Sequence, residues 1–266
     1  MKILALEYKE LNLISDLTPE GWNEIKPSFG FYVQSSFCFP IKVVVDDKIV
    51  GLGATIIHND VAWLGHIIVH PDQRGNGIGK CVTQALIDIA KQNKCETIYL
   101  IATKLGAPVY EKLGFVTDTE YLFFKDVKFD EELVISDQVI PYNQDFKDEI
   151  SILDKMTTGE ERMMHLENSL ENGFVYINNH TIEGFYLPAL GDGLIVANNS
   201  SAGLELLKLH LKSNDKVSFP IDNLLATDFL HNNGFKEYDV AKHMRLGNIR
   251  SFKLENIYNR IGGNVG

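Results

Sequence analysis

The rhythm of apolar and polar positions changes several times along the chain. Ile41–Val45 and Ile49–Ile57 are β-rich runs on either side of Asp46-Asp47, which reads as a hairpin. Val61–Val69 is a third strand of the same kind. From Ile78 the period lengthens: Ile78, Val82, Ala85, Leu86 and Ile89 fall on one face of a helix running to Asn93. Thr97–Ala102 reads as a buried strand, Ala107–Leu113 as a short helix stopped by Gly114, and Phe115–Phe124 as a last strand. Upstream, Thr18–Ile25 has a Thr cap, Pro at the first helical position and an early Glu, which predicts a helix start there. The first half is therefore a mixed α/β sheet, mostly antiparallel, flanked by helices.

Lys125–Gln144 is acidic and loop-like and contains Pro141. It suggests two domains, 1–128 and 129–266. The second half repeats the tail of the first, with a helix over Leu204–Leu211, a strand over Lys216–Phe219, a helix over Asn223–Asn232 and a strand over Tyr238–Leu246. "YEKLGF" from Tyr110 and "LHNNGF" from Leu230 both read as helix, Gly-Phe, strand, the mark of a degenerate duplication.

The candidate chemistry sits between the third strand and the long helix, in "HPDQRGNGIGK". A phosphate loop of the triphosphatase kind needs a hydroxyl after Gly79-Lys80, and Cys81 stands there. A dinucleotide fingerprint needs G-x-G-x-x-G after a parallel strand; here the spacing is G-x-G-x-G. What remains is R-x-x-G-x-G over Arg74, Gly75, Asn76, Gly77, Ile78 and Gly79. Glycines free the backbone N–H groups to converge on an anion, and the helix adds its positive end. That cradle suits a pyrophosphate and needs no metal.

Composition narrows the partners. Hydrophobic residues make up 45% and charged residues 23%, so a core can form. Net charge is −11, with 13 Lys/Arg against 15 Asp/Glu up to Lys128 and 12 against 21 beyond it. No basic cluster points to nucleic acid. The acidic half favours a cationic amine. No apolar run reaches the roughly 20 residues of a membrane span, and the start lacks a signal-peptide pattern. Three scattered cysteines, Cys38, Cys81 and Cys95, suit a reducing cytoplasm and suggest neither disulfides nor a metal site.

"IIVHPDQRGNGIGKCVTQAL" followed by "ATKLGAPVYEKLGF" resembles the GNAT-type N-acetyltransferases, in the order and separation of their acetyl-CoA and tyrosine motifs. The second half, ending "NIYNRIGGNVG", is similar to the degenerate C-terminal domain of a two-domain subset. The resemblance implies a splayed sheet. It implies that Ile67, Ile68 and Val69 pair with the pantetheine arm, with the Ile67 N–H on the thioester carbonyl. Arg74 to Lys80 (Arg74, Gly75, Asn76, Gly77, Ile78, Gly79, Lys80) would hold the pyrophosphate. Tyr110 takes the general-acid position, and Cys81 is packing. An amine, small or peptidic, would attack acetyl-CoA directly. The base is less defined: His66 ranks first, ahead of His58, Asp60, Glu24 or a water chain, and His70 is structural. Leu230 stands where Tyr110 does, and no R-x-x-G-x-G occurs in the second half, so one CoA site is expected. The second domain would wall the acceptor pocket or act as a structural partner. The competing reading is a non-catalytic CoA-binding or sensory module whose second domain docks a partner.

Overall fold

A computed structural model describes residues 1–129 and 132–266. The chain folds as two compact units. The first takes in Met1–Thr117, His243–Ile249 and Gly263–Val265; the second takes in Asp118–Lys242 and Arg250–Gly262. The division thus falls at Thr117/Asp118, ahead of the position near 128 expected from composition. Two late segments also return to the first unit. Composition reports local chain character, whereas a strand is claimed by whichever edge it pairs with.

The first unit contains β1 (Lys2–Ala5), α1 (Lys26–Gln34), β2 (Cys38–Val45), β3 (Lys48–His58), β4 (Val61–Val69), α2 (Ile78–Gln92), β5 (Thr97–Ala102) and α3 (Ala107–Glu111), and it reaches the start of β6 (Val116–Phe124). The strands lie in the order β1-β2-β3-β4-β5. All neighbours are antiparallel except β4 and β5, which are parallel. The β2–β3 hairpin closes through Asp46 and Asp47, both at positive φ (48° and 58°), the geometry that matches strand twist in a two-residue turn. Beyond β5, Asn248 N–H donates to Glu96 O, Thr97 Oγ1 donates to Asn248 O, and the His243 ring lies 4.9 Å from that of Tyr99.

The helix expected from Thr18 starts instead at Lys26, with Pro27 in its first turn. Gly21 has φ +79°, outside the right-handed helix, and Trp22 N–H closes a turn onto Pro19 O. The cap-like signature at Thr18 opens that turn, and Pro27 supplies the real helix start.

α2 buries Ile78, Val82, Leu86, Ile87 and Ala90 against Ile41, Val43, Val50, Ala62, Leu64, Ile98 and Leu100. Each large aliphatic side chain buried there contributes about 1.5–3 kcal/mol. The helix approaches closely because β3 carries glycine beneath it. A Cβ at Gly53 would lie 2.7 Å from Leu86 Cδ1 and 2.9 Å from Val82 Cγ1. Thr55 Oγ1 adds a buried hydrogen bond to Leu86 O. These contacts fix where the N-terminus of α2 meets the end of β4.

The second unit contains β7 (Val139–Pro141), α4 (Lys147–Thr158), α5 (Met163–Leu166), β8 (Phe174–Asn178), β9 (Thr181–Leu187), β10 (Leu194–Ala197), α6 (Ser200–Leu211), β11 (Val217–Pro220), α7 (Leu224–Asn232), the start of β12 (Asp239–Gly247), and β13 (Ile257–Asn259). One sheet has the order β13-β10-β9-β8-β7. β11 pairs antiparallel with β6, Val217 facing Phe124. The repeat read from Gly114 and Gly234 is a repeated helix ending. Phe115 N–H donates to Tyr110 O and Gly114 N–H to Glu111 O; Phe235 N–H donates to Leu230 O and Gly234 N–H to His231 O. Both glycines have φ near +90° (93° and 84°). Among the described residues no helix is long and apolar enough to cross a membrane.

Gly53→Val should drive two methyl groups into the α2 interface. The expected cost is at least about 1–3 kcal/mol, measured as a lower urea midpoint with unchanged slope.

Candidate functional site

β4 is interrupted at its centre. Ala54 of β3 faces Gly65, and Leu52 faces Ile68, so Gly53 alone opposes both His66 and Ile67. This is a β-bulge, and His66 sits in it at φ +50°. The extra residue changes the parity of the strand. Ala62 and Leu64 belong to the α2 core, and after the bulge Ile67 and Val69 pack against that core in their turn. His66 is expelled from it. On its other edge β4 pairs with β5 only at Val61, Ala62 and Trp63. From Leu64 onward that edge pairs with no strand among the described residues, so the sheet opens where the bulge lies.

The open edge leads into the glycine turn. Gly75 and Gly77 have φ +79° and +78°, conformations that a side chain would strain. Gly77 caps α2, and no side chain caps the helix start. The N–H groups of Gly75, Asn76, Gly77, Ile78, Gly79 and Lys80 have no acceptor among the described residues; Cys81 N–H is the first to bond, to Gly77 O. Six successive donors at a helix N-terminus are an arrangement of the kind that binds anions. Arg74 braces the turn by donating from Nε to Val69 O at 3.2 Å. His70 Nδ1 accepts from Asp72 N–H, a local structural role. An extended arm ending in a pyrophosphate fits this combination of free strand edge and cradle.

Tyr110 lies on α3 within the same core as Ile67. Its ring packs edge-on against Phe115, 6.1 Å between centroids. A Cβ at Gly106 would lie 2.9 Å from the Tyr110 ring and 3.2 Å from its hydroxyl, so the glycine leaves room for it. The hydroxyl makes no hydrogen bond among the described residues. Burial pushes its pKa up to about 12, which keeps it protonated near neutrality.

His66 faces the other way, into an aromatic cage. Phe29 and Tyr32 of α1 lie 5.6 Å from its ring, and Trp22 lies 6.1 Å away. Tyr32 Oη meets His66 Nδ1 at 2.9 Å, and Asn264 Nδ2 donates to Tyr32 Oη at 2.6 Å. Burial lowers the His66 pKa to about 4, so the ring is neutral. Sequence reading missed Trp22, Phe29, Tyr32 and Asn264, which carry no local signal and lie up to 198 positions from His66. The other base candidates lie apart from this cage. His58 is fully buried at the end of β3. Glu24 accepts from Ser15 Oγ in an exposed loop, and Asp60 belongs to the β3–β4 turn. Cys81 is half-buried in α2.

The second unit runs the same element order, β8-β9-β10, α6, β11, α7. Its counterpart of the open edge is closed. β13 pairs antiparallel with β10, Ile195 facing Asn259. Gly203 of α6 is bare where a Cβ would lie 2.0 Å from the Tyr258 ring of β13. The α6 N-terminus is capped by Asn199, whose side chain accepts from Ala202 N–H. The first unit leaves both groups free.

Residues 7–115 match the model of the acetyltransferase (GNAT) family. The match lies within the first unit, which is similar to a GNAT acetyltransferase domain over those residues. The uncharacterized N-acetyltransferase ycf52 of Pyropia yezoensis is 34% identical over 76 residues, 28% of this chain and 44% of that protein. The chain spans less than half the length of the curated relatives it matches. A Pyrococcus horikoshii protein solved as a candidate acetyltransferase superposes over 100% of this chain and 95% of its own, with a TM-score of 0.84 at 21% identity. A tandem GNAT protein from the clavulanic acid biosynthesis pathway covers 94% and 99%, with a TM-score of 0.60 at 13% identity. At these identities the likeness is one of fold. Both superpositions extend over the first unit and the second α/β unit.

His66 gives a pH signature. It is neutral in the fold down to about pH 4, whereas an exposed His in the unfolded chain protonates near 6.5. Its contribution to stability is therefore complete above pH 6.5 and is lost as pH falls from there toward 4. Between pH 6.5 and 4.5 the urea midpoint of the native chain should fall more steeply than that of His66→Gln. Parallel slopes would show that His66 is not sequestered.

Proposed function

We propose that the chain is an acetyl-CoA-dependent N-acetyltransferase acting on a small-molecule or peptide amine. The observation that carries this reading is the β4 edge, unpaired from Leu64 on, running into six unsatisfied N–H groups from Gly75 to Lys80. Bound acetyl-CoA supplies an acetyl thioester that an amine attacks directly, with release of the thiol.

The chain's own groups divide the remaining work. Ile67, Ile68 and Val69 offer backbone to an extended arm, and the Ile67 N–H polarises the carbonyl and stabilises negative charge on it. Arg74 and Gly75 to Lys80 hold the pyrophosphate, mostly by backbone. Tyr110 keeps its proton until a thiolate forms, then donates it from Oη. His66 stands on the opposite face of β4, toward α1, where the acceptor would enter. It can take the amine's proton only with a bare ring nitrogen on its open side. The acidic surplus favours a cationic acceptor. The second unit is proposed to hold no CoA, because β13 occupies its strand edge and Asn199 its helix end.

Thiol release from acetyl-CoA should appear with at least some members of an amine panel; binding of CoA without turnover across a broad panel would favour the sensory reading. Tyr110→Phe should lower kcat by about 10²-fold and leave CoA affinity within about threefold. Gly79→Ala separates cradle from fold. Its Cβ would have Val69 Cγ2 as nearest neighbour at 3.7 Å, so the protein has room for it. Stability should hold or rise by about 0.5–1 kcal/mol, while CoA affinity drops more than about tenfold. Unchanged affinity would remove the pyrophosphate assignment.

A further inference from the structure

The aromatic cage around His66 contains a directional hydrogen-bond chain. Asn264 Nδ2 can only donate, and it does so to Tyr32 Oη. Tyr32 is almost fully buried, 2% exposed, so its own hydroxyl hydrogen needs an acceptor inside the protein. The acceptor at hand is His66 Nδ1, 2.9 Å away. Cys38 offers no thiolate in its place, because burial pushes that thiol up to about 12. The chain therefore runs Asn264 to Tyr32 to His66, and a neutral imidazole that accepts on Nδ1 carries its hydrogen on Nε2. Nε2 makes no hydrogen bond among the described residues and is not among their solvent-sealed unpartnered atoms.

Asn264 is placed by packing. A Cβ at Gly65 would lie 2.4 Å from Asn264 Cβ and 3.0 Å from its Cα. Gly65 immediately precedes the bulge, so the glycine that admits Asn264 and the backbone turn that expels His66 are consecutive in β4.

We propose that Asn264, through the Tyr32 hydroxyl, locks His66 as the Nε2–H tautomer, so that His66 meets the acceptor as a hydrogen-bond donor and not as the base. Asn264 and Tyr32 are positioning residues. The amine's proton then leaves to solvent, and His66 orients an acceptor oxygen or other lone pair beside the attacking nitrogen. The catalytic consequence rests on reading this face as the acceptor side; the tautomer lock does not.

Imidazole-¹⁵N NMR of the full chain at pH 7 tests it. Wild type should show a bare Nδ1 and a protonated Nε2 for His66, assigned by its loss in His66→Gln. Asn264→Asp is isosteric and replaces the donor with an acceptor. It should turn the Tyr32 hydroxyl toward residue 264 and move the His66 hydrogen to Nδ1, with kcat/KM falling at least about tenfold for acceptors that need the donor. Tyr32→Phe should leave a mixture of tautomers, and it serves if Asn264→Asp does not fold. A wild-type ring protonated on Nδ1, or a folded Asn264→Asp and Tyr32→Phe that both keep the Nε2–H signature, would overturn the proposal. An Nε2–H ring with no thiol release on any amine would leave the lock standing and remove the transferase reading. Turnover with an Nδ1–H ring would do the reverse.

Discussion

One residue too many in β4 organises the site. Gly53 of β3 faces both His66 and Ile67, so the pleat of β4 changes sides between them. Leu64 and Ile67 then share the α2 core, where an unbroken strand would have put Leu64 and His66 together. A His side chain in that core would be a buried polar group among Ile78, Val82 and Ile98. The bulge instead sends it to Trp22, Phe29 and Tyr32, where Nδ1 has a partner. The pairing with β5 ends at Trp63, just before the irregularity, and backbone groups of Ile67 to Val69 lie along an open edge. Separation of the two faces follows from the bulge. The proposed thioester contacts belong to the backbone edge and the α2 side, and the imidazole belongs to the α1 side.

The two units treat corresponding backbone groups differently. In the first, the third strand of the meander has a free edge and the following helix has an uncapped start. In the second, β13 pairs with the corresponding strand, Tyr258 rests on Gly203, and Asn199 caps α6. The second unit satisfies internally the groups that the first leaves available. Unpaired backbone donors persist in a fold when a ligand or solvent completes them, which is why the free N–H row of Gly75 to Lys80 carries more weight than the glycine count.

Much of the fold is legible in the chain because its signals are local. The Asp46-Asp47 turn, the 3.6-residue period after Ile78 and the helix stops at Gly114 and Gly234 each lie within a few residues of the feature they specify. The strands over Val61–Val69 and Thr97–Ala102 have the limits their apolar runs suggest. The Thr18 signature misled because Gly21 adopts positive φ, which a cap pattern does not encode. β1, α4, β8 to β10 and β13 gave no clear local signal. Their identity comes from partners elsewhere in the chain.

The sequence alone determined the element order from the Asp46-Asp47 hairpin to Phe124, the glycine turn and its incompatibility with a triphosphatase or dinucleotide loop, and the position of Tyr110 on a short helix. Tertiary structure decided which way His66 points, since that depends on register against Gly53. It also decided what surrounds the imidazole, since Tyr32 reaches it from α1 and Asn264 reaches Tyr32 from the far end of the chain. It decided that the strand edge is open in one unit and filled in the other. Each of these is a pairing choice between remote pieces of backbone, and such choices are fixed by packing and hydrogen-bond satisfaction over the whole unit.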